Sequence, residues 1–208
     1  MSDFPFPLAD PLAARLRASL DVESKLPRAL VSLGQLADRD VALLDVPEGG
    51  FHSARLGDLG VRARHLPSTD PFRLDVPAAS LDAVVSFWSG FRGIDPIALA
   101  EVDRALRPGG HLFVVHDYGR DDVSALRPAD APEYASWSRR DGPFLHDAGF
   151  RIRVVHCFWT FESLDEARGF LGDAFGAPGR ALGDRLRRPR LSWNVAIYHR
   201  GRDGLDQG

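Results

Sequence analysis

Three short stretches of this chain carry residue types that can do chemistry. His116-Asp117-Tyr118 sets an imidazole, a carboxylate and a phenol at the end of the apolar run Leu112 to Val115. An imidazole that titrates near neutrality suits proton removal from a hydroxyl or an amine, and an adjacent carboxylate can orient it. A turn closed by local hydrogen bonds uses the same residue types with no chemistry at all. Ser86-Phe87-Trp88-Ser89 closes a second apolar run, where these side chains either face a ligand or pack into the core. In the third stretch, Val41 to Val46 breaks at Pro47-Glu48-Gly49-Gly50 into a helical-looking segment. A turn after the first strand of a doubly wound sheet lies where small ligands bind and helix N–H groups face them.

The candidate catalytic residues are therefore His116, Asp117 and Tyr118. The candidate cofactor-lining residues are Asp45, Glu48, Gly49 and Gly50, with Ser86 and Trp88 on the neighbouring strand. Nothing resembles a metal cage. The histidines are scattered with no i, i+4 pair on a helix, and Cys157 is the only cysteine, so no metal is expected. Arg185, Arg187, Arg188 and Arg190 form a basic turn that reads as a solvated surface.

A chain of 208 residues with 44% hydrophobic content suits one domain able to bury about 70% of its unfolded surface. The formal net charge of -3 supplies no basic field of the kind that nucleic acid or an anionic membrane requires. The single cysteine excludes an intramolecular disulfide, and the N-terminal stretch has no basic region followed by an apolar core. A cytoplasmic setting without membrane anchoring is expected.

The elements that position these residues follow from periodicity. Helices are expected over about 11–20 and 24–38, covering one end of the sheet, then a strand from Val41 to Val46 and a helix from His52 to Leu59. Val61 to Leu66 alternates as a strand, and Leu81 to Trp88 reads as a central parallel strand. Asp95-Pro96 opens a helix whose buried face is expected to hold Ile97, Leu99, Val102 and Leu106. Strands at Leu112 to Val115, Phe150 to Trp159 and Leu191 to His199, a short helix from Phe144 to Ala148 and a helix from Leu164 to Phe175 complete the order. The chain divides into an N-terminal helical cover over 1–40, an α/β unit over 41–200 and a frayed tail over 201–208.

Four of these pieces resemble the Rossmann-like class of S-adenosylmethionine-dependent methyltransferases. They are Leu44-Asp45-Val46, Ser80 to Ser86, the Glu101 to Leu112 stretch with its Arg107-Pro108-Gly109-Gly110 turn, and Gly149-Phe150 leading into a late strand. The resemblance spans about 41 to 160. It implies a mostly parallel twisted sheet with helices on both faces, S-adenosylmethionine as cofactor and a small-molecule substrate.

The match fails where that family holds its cofactor. Its glycine-rich loop falls here on Pro47, Gly49 and Phe51, and Glu48 adds a carboxylate beside a helix N-terminus. Strand two of the family ends in an acidic residue, whereas here Leu66-Pro67-Ser68 occupies that neighbourhood and no carboxylate precedes Asp70. The segment between Leu66 and Leu81 is too short for a crossover helix and a further strand. One alignment therefore deletes strand three with its helix and leaves Val61 to Leu66 as an open edge. The other deletes strand two and sets Asp70 on an adenine-contacting position, which makes Asp70 a further cofactor candidate. Both point to a degenerate S-adenosylmethionine site, weak or absent cofactor binding, and a binding, regulatory or orphan role. The alternative is an active small-molecule methyltransferase with a remodelled loop. An exposed 61–66 edge is expected to pair with a second copy of the chain or to be capped by the loop that follows it.

Overall fold

The computed structural model describes residues 6, 8–89, 91 and 94–202. A six-stranded sheet runs β2-β1-β3-β4-β6-β5. Its strands are β1 (Val41–Leu44), β2 (Ala63–Leu66), β3 (Leu81–Phe87), β4 (Leu106–Asp117), β5 (Arg151–Thr160) and β6 (Arg190–Gly201). The β2, β1, β3 and β4 pairings are parallel. Only β6 runs against the others, pairing antiparallel with both β4 and β5.

Strand alternation splits the core into two layers. Val41 and Leu43 of β1, Val85 and Phe87 of β3, and Phe113 and Val115 of β4 face one layer. Ala42 and Leu44, Val84, and Leu112 and Val114 face the other. The first face is covered by α1 (Asp10–Ser19), α2 (Lys25–Gly34), α3 (Phe51–Gly57) and α6 (Leu164–Arg185). The second carries α4 (Pro96–Ala105), α5 (Ala131–Trp137) and a π-turn at Pro143–Asp147. The N-terminal helices thus lie over a face of the sheet, since Leu16, Leu20, Leu26 and Leu30 are fully buried in its core and both helices contact β5.

β2 pairs directly with β1, from Val41 opposite Ala63 to Leu44 opposite Leu66. Residues 67–80 contain neither helix nor strand, so β2 leads into β3 without a crossover helix. That loop does not cap the open edge. It crosses the second face, where the Leu74 N–H donates to Glu101 Oε1 at 2.9 Å and Arg104 donates to the Leu74 and Val76 carbonyls at 3.0 Å.

Several local expectations change. Ile97 is 71% exposed, and Ala98, Val102 and Ala105 form the buried stripe of α4 in its place, because the helix begins directly at Pro96 behind the Asp95 cap. Pro108-Gly109-Gly110 bulges out of β4 between Leu106, which pairs with Leu81, and His111, which pairs with Ala83. Gly109 takes φ +76°, and a Cβ on Gly110 would meet the Arg107 and Asp82 carbonyls at 2.9 and 3.1 Å, so the bulge there requires glycine. The last long helix does not stop at Phe175. It turns back at Gly176 (φ 59°, ψ -130°), and its second arm packs on the first, with Arg168 Nε donating to the Gly183 carbonyl at 3.3 Å. Gly201 closes β6 and the Arg202 N–H donates to the Gly110 carbonyl at 2.8 Å, so the tail is held through Arg202. Residues 203–208 lie outside the described residues.

Candidate functional site

The carboxyl ends of β1, β3 and β4 bring the three predicted stretches to one edge of the sheet. Asp45 directly follows β1 in the left-handed region, at φ 57°. Its N–H continues the ladder to the Leu66 carbonyl at 2.9 Å. Its carboxylate is held by Ser68, whose N–H donates to Oδ1 at 2.8 Å and whose hydroxyl lies 2.9 Å from both oxygens. Ser68, two residues past β2, is thus the donor that occupies Asp45.

The turn beyond Asp45 is closed internally. The Gly50 N–H donates to the Pro47 carbonyl at 2.9 Å. Gly49, at φ +68°, supplies the left-handed third position that this type of turn needs, and nothing lies within 4 Å of a Cβ there. Glu48 and Gly49 are exposed and Gly50 is buried. Helix α3 is only seven residues long, which leaves its N-terminus a weak dipole. Asp70 is exposed on the loop after β2, and among the described residues no hydrogen bond joins it to Asp45.

His52 and His65 are the residues here that sequence reasoning passed over. The His65 Nδ1–H donates to the Val46 carbonyl at 2.9 Å, and Ser53 lies 3.3 Å from its Nε2. Those bonds pin the turn to β2. His52 is fully buried, lying flat on Phe87 at 4.7 Å and on Trp88 at 5.3 Å. Burial drives its pKa down to about 3, with Arg55 adding a smaller push in the same direction. The imidazole is therefore neutral and serves as an aromatic plate. Phe51, beside it, packs on the core with the Arg55 guanidinium 4.5 Å above its ring.

At β3 the polar residues are also engaged. The Ser86 and Ser89 hydroxyls are 2.7 Å apart, and the Phe91 N–H donates to Ser89 Oγ at 3.1 Å. Trp88, half-buried at φ 43°, stacks on Trp193 of β6 at 5.6 Å. It also packs against the first core layer.

The β4 cluster carries the strongest electrostatics. Asp117 is buried, and burial raises its pKa against the opposing pull of Arg127 and Trp193. Arg127 Nη2 donates to Oδ2 at 2.6 Å and the Trp193 indole donates to Oδ1 at 2.7 Å. Both carboxylate oxygens thus have a fixed donor. Arg127 is further held by Asp130 at 3.4 Å and lies 4.2 Å from the Phe6 ring. His116 is buried beside Trp137, with the rings 4.9 Å apart. It is on the second face. Tyr118 packs on the second core layer, with Arg120 3.5 Å from its hydroxyl. Neighbours in sequence, His116 and Asp117 therefore extend to opposite faces of β4.

The structure brings Asp117 and Trp88 together through Trp193, a residue whose role has no sequence signal beyond its place in a strand. Ser68 and Arg127 are the other partners that only three-dimensional pairing reveals.

No family model matches the chain, and no curated protein matches it. Solved structures do. A provisionally named type II methyltransferase from Anaeromyxobacter dehalogenans superposes with a TM-score of 0.50 at 20% identity, covering 85% of this chain and 96% of its own. A provisionally named methyltransferase from an antibiotic biosynthesis pathway of Anabaena variabilis gives 0.51 at 14% identity, covering 88% and 98%. At these identities the likeness is one of fold: this chain has the architecture of the class I S-adenosylmethionine-dependent methyltransferases.

Proposed function

With that fold as premise, we propose that this chain is a methyltransferase-like protein whose S-adenosylmethionine site is degenerate, and that it acts by binding or regulation and not by methyl transfer. One observation carries the reading: both oxygens of the Asp45 carboxylate lie within 2.9 Å of the Ser68 hydroxyl, one of them also accepting from the Ser68 N–H. The ligand-facing N–H of Gly50 is likewise spent on Pro47. The residues present do not fit the cofactor, because no carboxylate stands at the end of β2, Ser68 holds Asp45, and the Gly50 N–H is committed to Pro47. Losing hydrogen bonds to charged groups at about 1.5–3 kcal/mol each moves a micromolar site to roughly millimolar.

The deciding experiment is calorimetric titration of the purified chain with S-adenosylmethionine and with its demethylated product. The expected result is no saturable heat at micromolar concentrations. A dissociation constant in the low micromolar range for either compound establishes the alternative, an active small-molecule methyltransferase with a remodelled loop.

The outer edge of β2 is the contact we assign to a second copy of this chain. That reading is supported by the absence, among the described residues, of any strand or capping loop beyond β2. Arg62 and Arg64, held towards Asp38 and Asp40 at 3.8 and 3.6 Å, limit that edge to a short contact.

A further inference from the structure

The turn that carries Asp45 also sets a serine against a histidine. Ser53 stands in the first turn of α3 and His65 on β2, and the Ser53 hydroxyl lies 3.3 Å from His65 Nε2. On its other side the ring meets the Val46 carbonyl, 2.9 Å from Nδ1. A carbonyl can only accept, so Nδ1 carries the proton of the neutral imidazole and Nε2 presents a lone pair. The Ser53 hydroxyl is then the donor in its bond to the ring. Hydroxyl, imidazole and an acceptor that orients the imidazole thus follow one another in the order that activates a serine, at a separation within the looser range of unliganded nucleophile–base pairs.

Neither residue is a loose surface group. One is set by a helix and the other by a strand in register with β1, where His65 stands opposite Leu43, and both are half-buried. Room remains on the solvent side. One helical turn beyond Ser53 stands Gly57, exposed and with nothing within 4 Å of the place a Cβ would take. Gly49, in the turn that leads into α3, is equally exposed and equally bare. A small group carried on the Ser53 oxygen therefore has space beside it.

We propose that Ser53 is an acyl-accepting nucleophile activated by His65, and that its substrate class is small esters with a good leaving group, aryl esters or thioesters. In the step, the bond from Ser53 Oγ to the acyl carbon forms and the bond from that carbon to the leaving oxygen or sulfur breaks. The hydroxyl proton passes to His65 Nε2 and from there to the leaving group, which departs with the bonding electron pair. While the ring holds both protons, its Nδ1–H still donates to the Val46 carbonyl, so the imidazole keeps its orientation through the transfer. The products are an acyl ester on Ser53 and the neutral imidazole, with no oxidant or further reactant consumed. Such esters ask for an activated nucleophile above all, whereas an amide also needs strong assistance to its leaving group. The pair employs neither Asp45 nor Ser68, so it stands whether or not S-adenosylmethionine binds.

The test treats the whole chain with 4-nitrophenyl acetate, follows release of 4-nitrophenolate and locates the acetyl group by mass spectrometry. The expected result is a burst of about one equivalent, with the acetyl group on tryptic peptide 40–55, in which Ser53 is the only hydroxyl side chain. Ser53→Ala is expected to abolish both. His65→Gln keeps a hydrogen-bonding group beside the serine but cannot take its proton, and is expected to slow the acetylation by about 100-fold or more. Near-ultraviolet circular dichroism of the four tryptophans checks that each variant keeps its native packing, and His65→Asn stands in for His65→Gln if the latter does not. Three results overturn the proposal: no acetyl group on peptide 40–55 of the parent chain, including acetylation confined to Lys25 or the terminal amine; an equal burst in Ser53→Ala; or the parent rate in a natively packed His65 variant.

Discussion

The indole of Trp193 and the carboxylate of Asp117 meet at 2.7 Å across the β4–β6 pairing, in the interior of the edge where a base would have to act. That bond ties a candidate catalytic group to a structural one. It also links Asp117 to the stack of Trp88, Phe87 and His52, since Trp193 lies on Trp88.

Replacing Trp193 by Phe keeps most of the ring contact and removes the donor, leaving one oxygen of a buried carboxylate without its partner. The expected loss is about 1–3 kcal/mol of unfolding free energy. Urea denaturation followed by circular dichroism reads it. An unchanged midpoint means that Asp117 finds another donor.

The pKa of His52, lowered to about 3 by burial, makes it a source of acid sensitivity. The folded state holds the ring neutral while the unfolded chain protonates near 6.5, so the stability it protects is complete above that value. It is lost as pH falls from about 6.5 towards 3, at up to about 1.4 kcal/mol per pH unit. His52→Phe, which keeps a flat ring against Phe87, is expected to flatten that part of the stability profile. A slope identical to that of the parent chain assigns the acid sensitivity elsewhere.

Glu101 is held down to about 2, chiefly by its hydrogen bond from Arg104, and accepts from the Leu74 N–H. Its depressed pKa means that its contribution is present above the ordinary Glu value and fades as pH drops from about 4.5 to about 2. Glu101→Gln is expected to cost about 1–2 kcal/mol at neutral pH, discounted for the partly open side of Arg104. The same variant is expected to raise amide exchange at Leu74 and to converge on the parent stability near pH 2. Equal exchange at Leu74 in both proteins removes Glu101 as the anchor of the 67–80 loop.

Pairing of two copies through β2 predicts a dimer mass in light scattering and slow amide exchange at Arg64 to Leu66. His65→Pro, which removes a backbone donor from that strand, is expected to shift the mass towards the monomer. A parent chain that remains monomeric at high concentration, with fast exchange over the same residues, rules the edge out as a contact.

Most of the strand order was legible in the sequence because it rests on local signals. Apolar runs such as Val41 to Leu44 and Leu81 to Phe87 sit between Gly and Pro breaks, and Asp95-Pro96 marks a helix start in both descriptions. The shortened link from Leu66 to Leu81 could be counted directly. What escaped was pairing at a distance. Nothing in the letters brings Ser68 onto Asp45, Trp193 onto Asp117, or Arg127 across to the N-terminal Phe6. Nor does spacing alone show that His116 and Asp117 turn to opposite faces of a strand that continues two residues further than its apolar run. Ile97 misled because the apolar letters alone do not say which side of the helix meets the sheet, and Ala98, Val102 and Ala105 take that side.

The strands are unequal in length across the sheet: β1 and β2 pair over four residues each, whereas β4 and β6 run for twelve and β5 for ten. A ladder that closes few hydrogen bonds and ends in an open edge has the lower opening free energy, so the sheet carries a stability gradient from β2 to β5. The turn of Asp45 stands on the half that comes apart first. The Asp117–Trp193 pair stands on the half that comes apart last, and local unfolding can therefore loosen one half of the sheet while the other keeps its shape.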